Sequence, residues 1–381
     1  MKILAFSSIR SDYDLLSPLY KLLNNDSSIN FKLLLSGSHL STACGYTKKY
    51  IIDDGFKILA SIETLINSDS NKSRLKTTSL LLQNSIDIID EFSPDLLLYA
   101  GDREDVIIYS LISQFLHIPS IHFYGGDHEE DGHQDTYIRH ATSKLSTYHF
   151  VSTKEHRNRL LALGEPSYRI QNIGSISLDK FFDFNLLDIK SSFNLSFLSN
   201  FALVIFHPIE GENSGEIFNN ILKVLESKNI FSFISYPNTD PGYEKIIQII
   251  ENNKENKQFI FYKNLPRNLF LTLFKKCDFI IGNSSAGIYE AATIKKAAIN
   301  VGKRQKNRLT VKNVIFSDIN IDNISNSIET IFSEKFQDSL KTVQNPYGDG
   351  KSAQKAYKLI KTLDFKKNLI KFEDPLKVAH E

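Results

Sequence analysis

Short apolar runs recur along this chain, each followed by a stretch whose apolar positions return every three or four residues. Residues 3–6 read as a buried strand, 13–23 as a helix with Leu15, Leu16, Leu19, Leu22 and Leu23 on one face, and 31–35 as the next strand. A helix over 76–92, a strand over 95–100, a helix over 104–116, a strand over 119–123, a helix over 135–145 and a strand over 148–151 continue the alternation. Continuous apolar strands between helical patterns imply parallel βαβ units with right-handed crossovers. The pattern breaks over 181–200, which reads as a linker, and restarts at 201–206. Strands over 231–235, 258–262, 278–281 and 297–301 then interleave with helices over 214–226, 243–253, 266–275 and 285–294.

The fold class that follows is α/β, as two doubly wound domains with a cleft between them. The boundaries fall at 1–180 for the first domain and 201–349 for the second. A last helix over 350–364 is a candidate for crossing back onto the first domain. No repeat of fixed period is visible, although the two halves can share a fold.

At 381 residues the chain is long enough for two such cores. Its 45 basic residues against 44 acidic ones leave a formal net charge of only +1, which speaks against nucleic acid as the main partner. Cys44 and Cys277 make neither a metal-spaced pair nor a disulfide framework. The N-terminal apolar run is too short for a signal peptide, and no run approaches the ~18 residues of a membrane span. The expected setting is the cytoplasm, with no membrane contact.

Candidate chemistry collects just past the strands, where open α/β sheets bind ligands. The stretch Tyr124-Gly125-Gly126-Asp127-His128-Glu129-Glu130-Asp131-Gly132-His133-Gln134-Asp135 offers five carboxylates and two imidazoles within nine residues. Its glycines let the backbone turn sharply beside a ligand. Gly101-Asp102-Arg103-Glu104-Asp105 follows the preceding strand; Asp102 and Arg103 read as site residues, Glu104 and Asp105 as first-turn charges of a helix. In Ser8-Ile9-Arg10-Ser11-Asp12, Arg10 reads as a loop guanidinium able to clamp a diphosphate and Asp12 as a helix cap.

The second half carries His207-Pro208 after its first strand, and Gly282-Asn283-Ser284-Ser285-Ala286-Gly287 before a helix. Small residues at a helix start suit a phosphate, with Glu290 further along able to accept ribose hydroxyls. The same residues are also ordinary caps. His117, His122, His128, His133, His140 and His149 lack the i,i+4 spacing of a zinc helix, so no metal is expected. Ser284 and Ser285 show no nucleophile elbow.

Taken in order, these motifs resemble the hydrolysing UDP-N-acetylglucosamine 2-epimerase family of bacterial sialic-acid pathways, over about residues 2–360. The resemblance rests on Gly101-Asp102-Arg103, Gly125-Gly126-Asp127, Arg139-His140-Ala141-Thr142-Ser143-Lys144-Leu145-Ser146, Gly174-Ser175, Phe206-His207-Pro208, Asn238-x-Asp240-x-Gly242, Gly282-Asn283-Ser284-Ser285 and Gly302-x-Arg304-Gln305. It implies two Rossmann-like domains in the glycosyltransferase-B architecture, a UDP-sugar substrate and a homodimer. It also implies elimination of the nucleotide diphosphate to a 2-acetamidoglycal, followed by addition of water with C2 inverted. From UDP-N-acetylglucosamine the products would be N-acetylmannosamine and UDP. No metal or redox cofactor is required, because every step is a proton transfer or a C–O bond change.

Carried over position by position, the resemblance makes Asp102, Asp127, Asp135 and His207 catalytic. It places Arg10, Ser284, Ser285 and Glu290 on the nucleotide diphosphate and ribose, and Arg103 and His140 on the sugar. Which carboxylate does what stays open. Asp127 stands where the family usually has Glu, Asn307 where it has Gly, and Lys303 where Asp is frequent. The loop to Asp135 is one residue longer than in many sialic-acid enzymes, closer to relatives acting on diacetamido-trideoxy sugars in legionaminic-acid synthesis. A noncatalytic nucleotide-sugar sensor is the reading from another class, and the retained carboxylates argue against it.

Overall fold

Both halves of the chain are built on one strand order. The computed structural model describes all residues except 43, 67–70, 129–133, 197, 199, 210–211, 238–241, 264, 307 and 379–381. Of the positions singled out above, Glu129, Glu130, Asp131, Gly132, His133, Asn238, Asp240 and Asn307 lie outside the described residues. The chain divides into two units, one of residues 1–180 with 347–381 and one of 181–346.

The first unit holds a parallel sheet of β1 (Lys2–Ser7), β2 (Asn30–Ser36), β3 (Ile58–Ile62), β4 (Leu96–Ala100), β5 (Ser120–Phe123), β6 (Tyr148–Val151) and β7 (Ile170–Asn172), in the order β3-β2-β1-β4-β5-β6-β7. Its helices are α1 (Arg10–Asn25), α2 (Lys48–Asp53), α3 (Asn71–Phe92), α4 (Glu104–Phe115), α5 (Gln134–Leu145) and α6 (Lys154–Ala162). The apolar runs are continuous because both sheet faces are covered. Ile3, Ala5, Leu96 and Leu98 pack into one core, while Leu4, Phe6, Leu97 and Tyr99 pack into another on the opposite face. Each such side chain taken from water contributes roughly 1.5–3 kcal/mol.

The second unit repeats the scheme after α7 (Ile189–Phe193). Strands β8 (Phe201–Ile205), β9 (Phe231–Ser235), β10 (Phe259–Tyr262), β11 (Phe279–Gly282), β12 (Ala297–Val301) and β13 (Val314–Ser317) are ordered β10-β9-β8-β11-β12-β13, all parallel. The accompanying helices are α8 (Ser214–Ser227), α9 (Tyr243–Asn252), α10 (Arg267–Lys276), α11 (Ser285–Tyr289), α12 (Ile321–Phe332) and α13 (Glu334–Lys341). Residues 181–200, expected as a linker, belong to this unit: Phe181 and Ile189 are buried in its core, and the Phe181 ring lies 5.4 Å from that of Phe274.

The chain returns to the first unit in α14 (Ser352–Thr362), which packs on α1. Asp179 receives its first backbone N–H groups, from Ser352 at 3.0 Å and Ala353 at 2.7 Å. Tyr357 and Lys361 then donate to Asp26 at 2.6 and 2.8 Å.

Candidate active site

In each sheet the strand order reverses direction between two adjacent strands, β1 and β4 in the first unit, β8 and β11 in the second. Such switch points open a crevice at the carboxyl ends of the strands. Ser8, Arg10 and Gly101-Asp102-Arg103 flank the first crevice, and His207 with Gly282-Asn283-Ser284 flank the second.

Asp102 and Asp127 lie past neighbouring strands, β4 and β5, and one guanidinium from α5 joins them. Arg139 pairs with Asp102 through Nη2, and its Nη1 lies 3.2 Å from Asp127 Oδ2. The Arg139 side chain is 6% exposed, against 24% and 17% for the two carboxylates, so the cation lies deeper than the acids it joins. Asp135 sits one turn earlier on α5 and is half-buried. Sequence reasoning gives Arg139 no site role, although it opens one of the motifs behind the resemblance; its i,i+4 spacing from Asp135 on one helix face is the further signal.

The backbone beneath these acids is tightly specified. Gly126 has φ +80°, and a Cβ there would come within 2.2 Å of the His156 carbonyl oxygen. Arg159 Nη1 donates to the Gly126 carbonyl at 2.5 Å, and His156 Nε2 lies 3.4 Å from Asp127 Oδ1. Buried His122 connects the two strand ends, with Nε2 2.8 Å from the Gly101 carbonyl and Nδ1 3.0 Å from Ser143 Oγ of α5. Burial pushes His122 down to about 3, so the ring is neutral. A neutral ring has one N–H, which Nε2 must donate to the carbonyl while Nδ1 accepts from the serine.

His140 stacks on His128 with ring centroids 5.6 Å apart, and the facing nitrogens are 3.3 Å apart. Burial and then the neighbouring His128 lower its pKa. Arg103 is the residue before α4, where burial works against its charge but the carboxylates of Asp105, Asp12, Glu104 and Asp135 outweigh it and raise its pKa.

Two expectations change here. Arg10 is the first residue of α1 rather than part of a loop; it lies 3.9 Å from Asp14 and over the Tyr50 ring. Asp12 caps nothing: Ile9 occupies the cap position, and Asp12 lies in the first turn, where burial and then Asp105 push it well above the usual carboxylate range. Glu104 and Asp105 do lie in the first turn of α4, as expected. Glu104 forms a two-pronged pair with Arg74 at 2.7 and 2.9 Å, and buried Asp105 has its own pKa raised by burial.

In the second unit, Asn283 is fully buried and clips two strand ends together. Its Oδ1 accepts the His207 N–H at 2.8 Å, and its Nδ2 donates to the His207 carbonyl at 2.8 Å. The Asn283 carbonyl accepts from Gln305 at 3.2 Å and Arg304 at 3.3 Å. Gly282 makes the approach possible, since a Cβ there would come within 2.0 Å of the Ile205 carbonyl oxygen. Ser284 caps α11, its Oγ accepting from the Ala286 N–H at 3.3 Å, and Ser285 begins that helix. The helix expected over 285–294 is broken: α11 ends at Tyr289, Glu290 follows it half-buried, and a 3-10 turn continues.

A model of the UDP-N-acetylglucosamine 2-epimerase family matches residues 21–361 of this sequence. The chain belongs to that family. It is 31% identical over 369 residues to the UDP-N,N'-diacetylbacillosamine 2-epimerase (hydrolyzing) of Legionella pneumophila, covering 95% of this chain and 96% of the relative. It is 33% identical to the GDP/UDP-N,N'-diacetylbacillosamine 2-epimerase (hydrolyzing) of Campylobacter jejuni, covering 88% of each. Among solved structures, the UDP-GlcNAc 2-epimerase from Neisseria meningitidis bound to UDP-GlcNAc superposes with a TM-score of 0.81 over 95% of this chain and 100% of that one, at 19% identity. The fold is therefore the pair of doubly wound domains of the glycosyltransferase-B type, and the protein is an enzyme of the hydrolysing nucleotide-sugar 2-epimerase type.

Within this epimerase family setting, the first unit supplies carboxylates fixed around a cation, an arrangement suited to moving protons at a weakly acidic carbon. Among the described residues no group of three or more His, Cys, Asp or Glu side chains is placed to hold a metal. None of the described helices is long and apolar enough to cross a membrane.

Proposed function

We propose that this epimerase hydrolyses a UDP- or GDP-linked diacetamido-trideoxy sugar of the N,N'-diacetylbacillosamine type, inverting C2. The observation that carries the reaction is the Arg139 clamp, which sets Asp102 and Asp127 side by side with Asp135 one turn away on α5. The sugar is supported by the two relatives at 31% and 33% identity, both named for that substrate. The one-residue-longer loop before Asp135 points the same way.

The first half-reaction removes the C2 proton to a carboxylate, Asp102 or Asp127, as the C1–O bond breaks and its electron pair leaves with the nucleotide diphosphate. His207, Arg10, Ser284 and Ser285 neutralise or protonate the departing diphosphate, and Glu290 accepts the ribose hydroxyls. Arg103 and His140 hold the sugar. Water then adds its oxygen to C1 of the glycal while a proton is returned to C2 from the opposite face, with Asp135 as the second shuttle. The enzyme would work as a cytoplasmic homodimer, which sedimentation of the purified protein tests.

UDP-N-acetylglucosamine is the second reading. It is favoured by the relative of that name from Neisseria meningitidis serogroup B, 30% identical over 335 residues. The deciding experiment incubates the protein in heavy water with both donors in parallel, followed by NMR. A free C2-inverted sugar carrying deuterium at C2, with equimolar nucleotide diphosphate, is expected from the diacetamido donor. Turnover of UDP-N-acetylglucosamine alone would install the second reading, and no turnover of any donor, GDP-linked forms included, would reject both.

A further inference from the structure

A second charged cluster lies at the far end of the helix that carries Asp135, Arg139 and His140. Its centre is Glu165, which is fully buried. Glu165 Oε1 accepts from Lys144 Nζ at 2.7 Å, and Oε2 accepts from His149 Nε2 at 2.9 Å and Lys371 Nζ at 2.6 Å. Lys371 comes from the segment after α14, yet its ammonium also donates to the Lys144 carbonyl at 2.9 Å and the Ser143 carbonyl at 3.4 Å. Both are last-turn carbonyls of α5. The Ser143 carbonyl also accepts from the Ser146 N–H at 3.2 Å, and Gln114 Nε2 donates to the Leu145 carbonyl at 2.6 Å, so the Lys144 carbonyl is the one whose partner is Lys371. A cation there completes the cap and complements the negative end of the helix dipole.

The segment is laced down on both sides of Lys371. Buried Arg169 donates to the Asn368 carbonyl at 2.5 Å and the Ile370 carbonyl at 3.1 Å, and Asn368 donates to the Tyr148 hydroxyl at 2.6 Å. From the capped turn a short path leads to the acids. Ser143 Oγ bonds His122, and His122 donates to the Gly101 carbonyl immediately before Asp102.

We propose that Lys371 is a positioning residue: through the α5 carbonyls it fixes the axial placement of the helix that carries Arg139 and Asp135, and hence the geometry of the carboxylates. It touches no reacting atom. Burial pulls Lys371 down to about 8 against the attraction of Glu165, so this cap loses charge within an accessible pH range. The groups facing the ammonium are Glu165, Lys144, His149, Arg169 and His122. The catalytic consequence rests on the function proposed above; the effect on α5 does not.

The test compares the full-length chain with Lys371→Met, Lys371→Arg and Glu165→Gln. In Lys371→Met, amide exchange over the last two turns of α5 should rise at least tenfold without substrate. Its kcat should fall about fivefold or more with KM within twofold, and the alkaline fall in kcat expected of the wild type above about pH 8 should disappear. Lys371→Arg should restore exchange and kcat and abolish the alkaline fall, since a guanidinium stays charged. Glu165→Gln, which keeps a lysine on the carbonyls, should show the smaller exchange effect. Unchanged exchange in Lys371→Met overturns the proposal, and so does faster exchange with unchanged kcat. A wild type inactive on every donor would reject the proposed function, while the exchange comparison would still uphold or overturn the placement of α5 by Lys371.

Discussion

His122 Nε2 lies 2.8 Å from the carbonyl oxygen of Gly101, so the turn that presents Asp102 is held by a side chain of the neighbouring strand. The ring is neutral because burial pushes it down to about 3, and it acts as a fixed spacer between β4 and α5. His122→Phe keeps the volume and removes both bonds. A carboxylate displaced by about 1 Å can cost about a hundredfold in rate, so kcat should fall ten- to a hundredfold. UDP affinity, measured by calorimetry, should not move. A variant with wild-type kcat would show that the turn holds itself.

Arg139 and Asp102 form an ion pair whose cation is almost wholly buried. Removing the guanidinium alone leaves two carboxylates without their shared partner, whereas removing both partners leaves less charge uncompensated. A cycle of Arg139→Met, Asp102→Asn and the double variant should therefore be non-additive in urea unfolding, with a coupling of about 1–3 kcal/mol. Each single variant should also lower kcat by about two orders of magnitude or more. Strict additivity of the unfolding energies would sink the shared-clamp reading.

Asn283 makes a two-way bond with the His207 backbone from a fully buried position. In Asn283→Ala the His207 N–H and carbonyl each lose a partner, at a cost of about 1–3 kcal/mol where water cannot replace it. The second unit should lose about 2–3 kcal/mol of stability, and UDP should bind more weakly as the two strand ends part. Circular dichroism melts and UDP titration together check this; unchanged UDP affinity would separate the clip from the nucleotide site.

Glu165 supplies the acid dependence. Burial alone would raise it, but hydrogen bonds from His149 and Lys144 and the charges of His149 and Lys371 hold it at about 2, against an ordinary 4.5. A depressed folded-state pKa contributes stability that is fully present above about 4.5 and is lost as pH falls toward 2. Melting temperatures of the wild type should therefore fall more steeply between pH 5 and 3 than those of Glu165→Gln. Parallel curves would show that other carboxylates control acid unfolding.

Much of the fold was legible because central strands of a doubly wound sheet are covered on both faces. β1, β4, β8 and β11 read as continuous apolar runs for that reason, and Asp102, Asp127 and His207 were found by looking just past such runs. The strands not anticipated, β3, β7 and β13, all lie at sheet edges. β7 is only three residues long, and β3 and β13 are short apolar runs whose side chains stay partly exposed, so none stands out as a buried strand.

The sequence alone determined the local chemistry: which turns carry carboxylates, which glycines permit them, and which helices have an apolar face. Those properties depend on neighbours a few residues away. Only the tertiary structure decided that Arg139 serves two acids on different loops, that Asn283 serves the backbone of His207, and that Lys371 ends a helix more than two hundred residues earlier. Such pairings are set by chain crossovers and burial. A charge leaves water only where folding delivers its partners, and the linear pattern does not record where that will be.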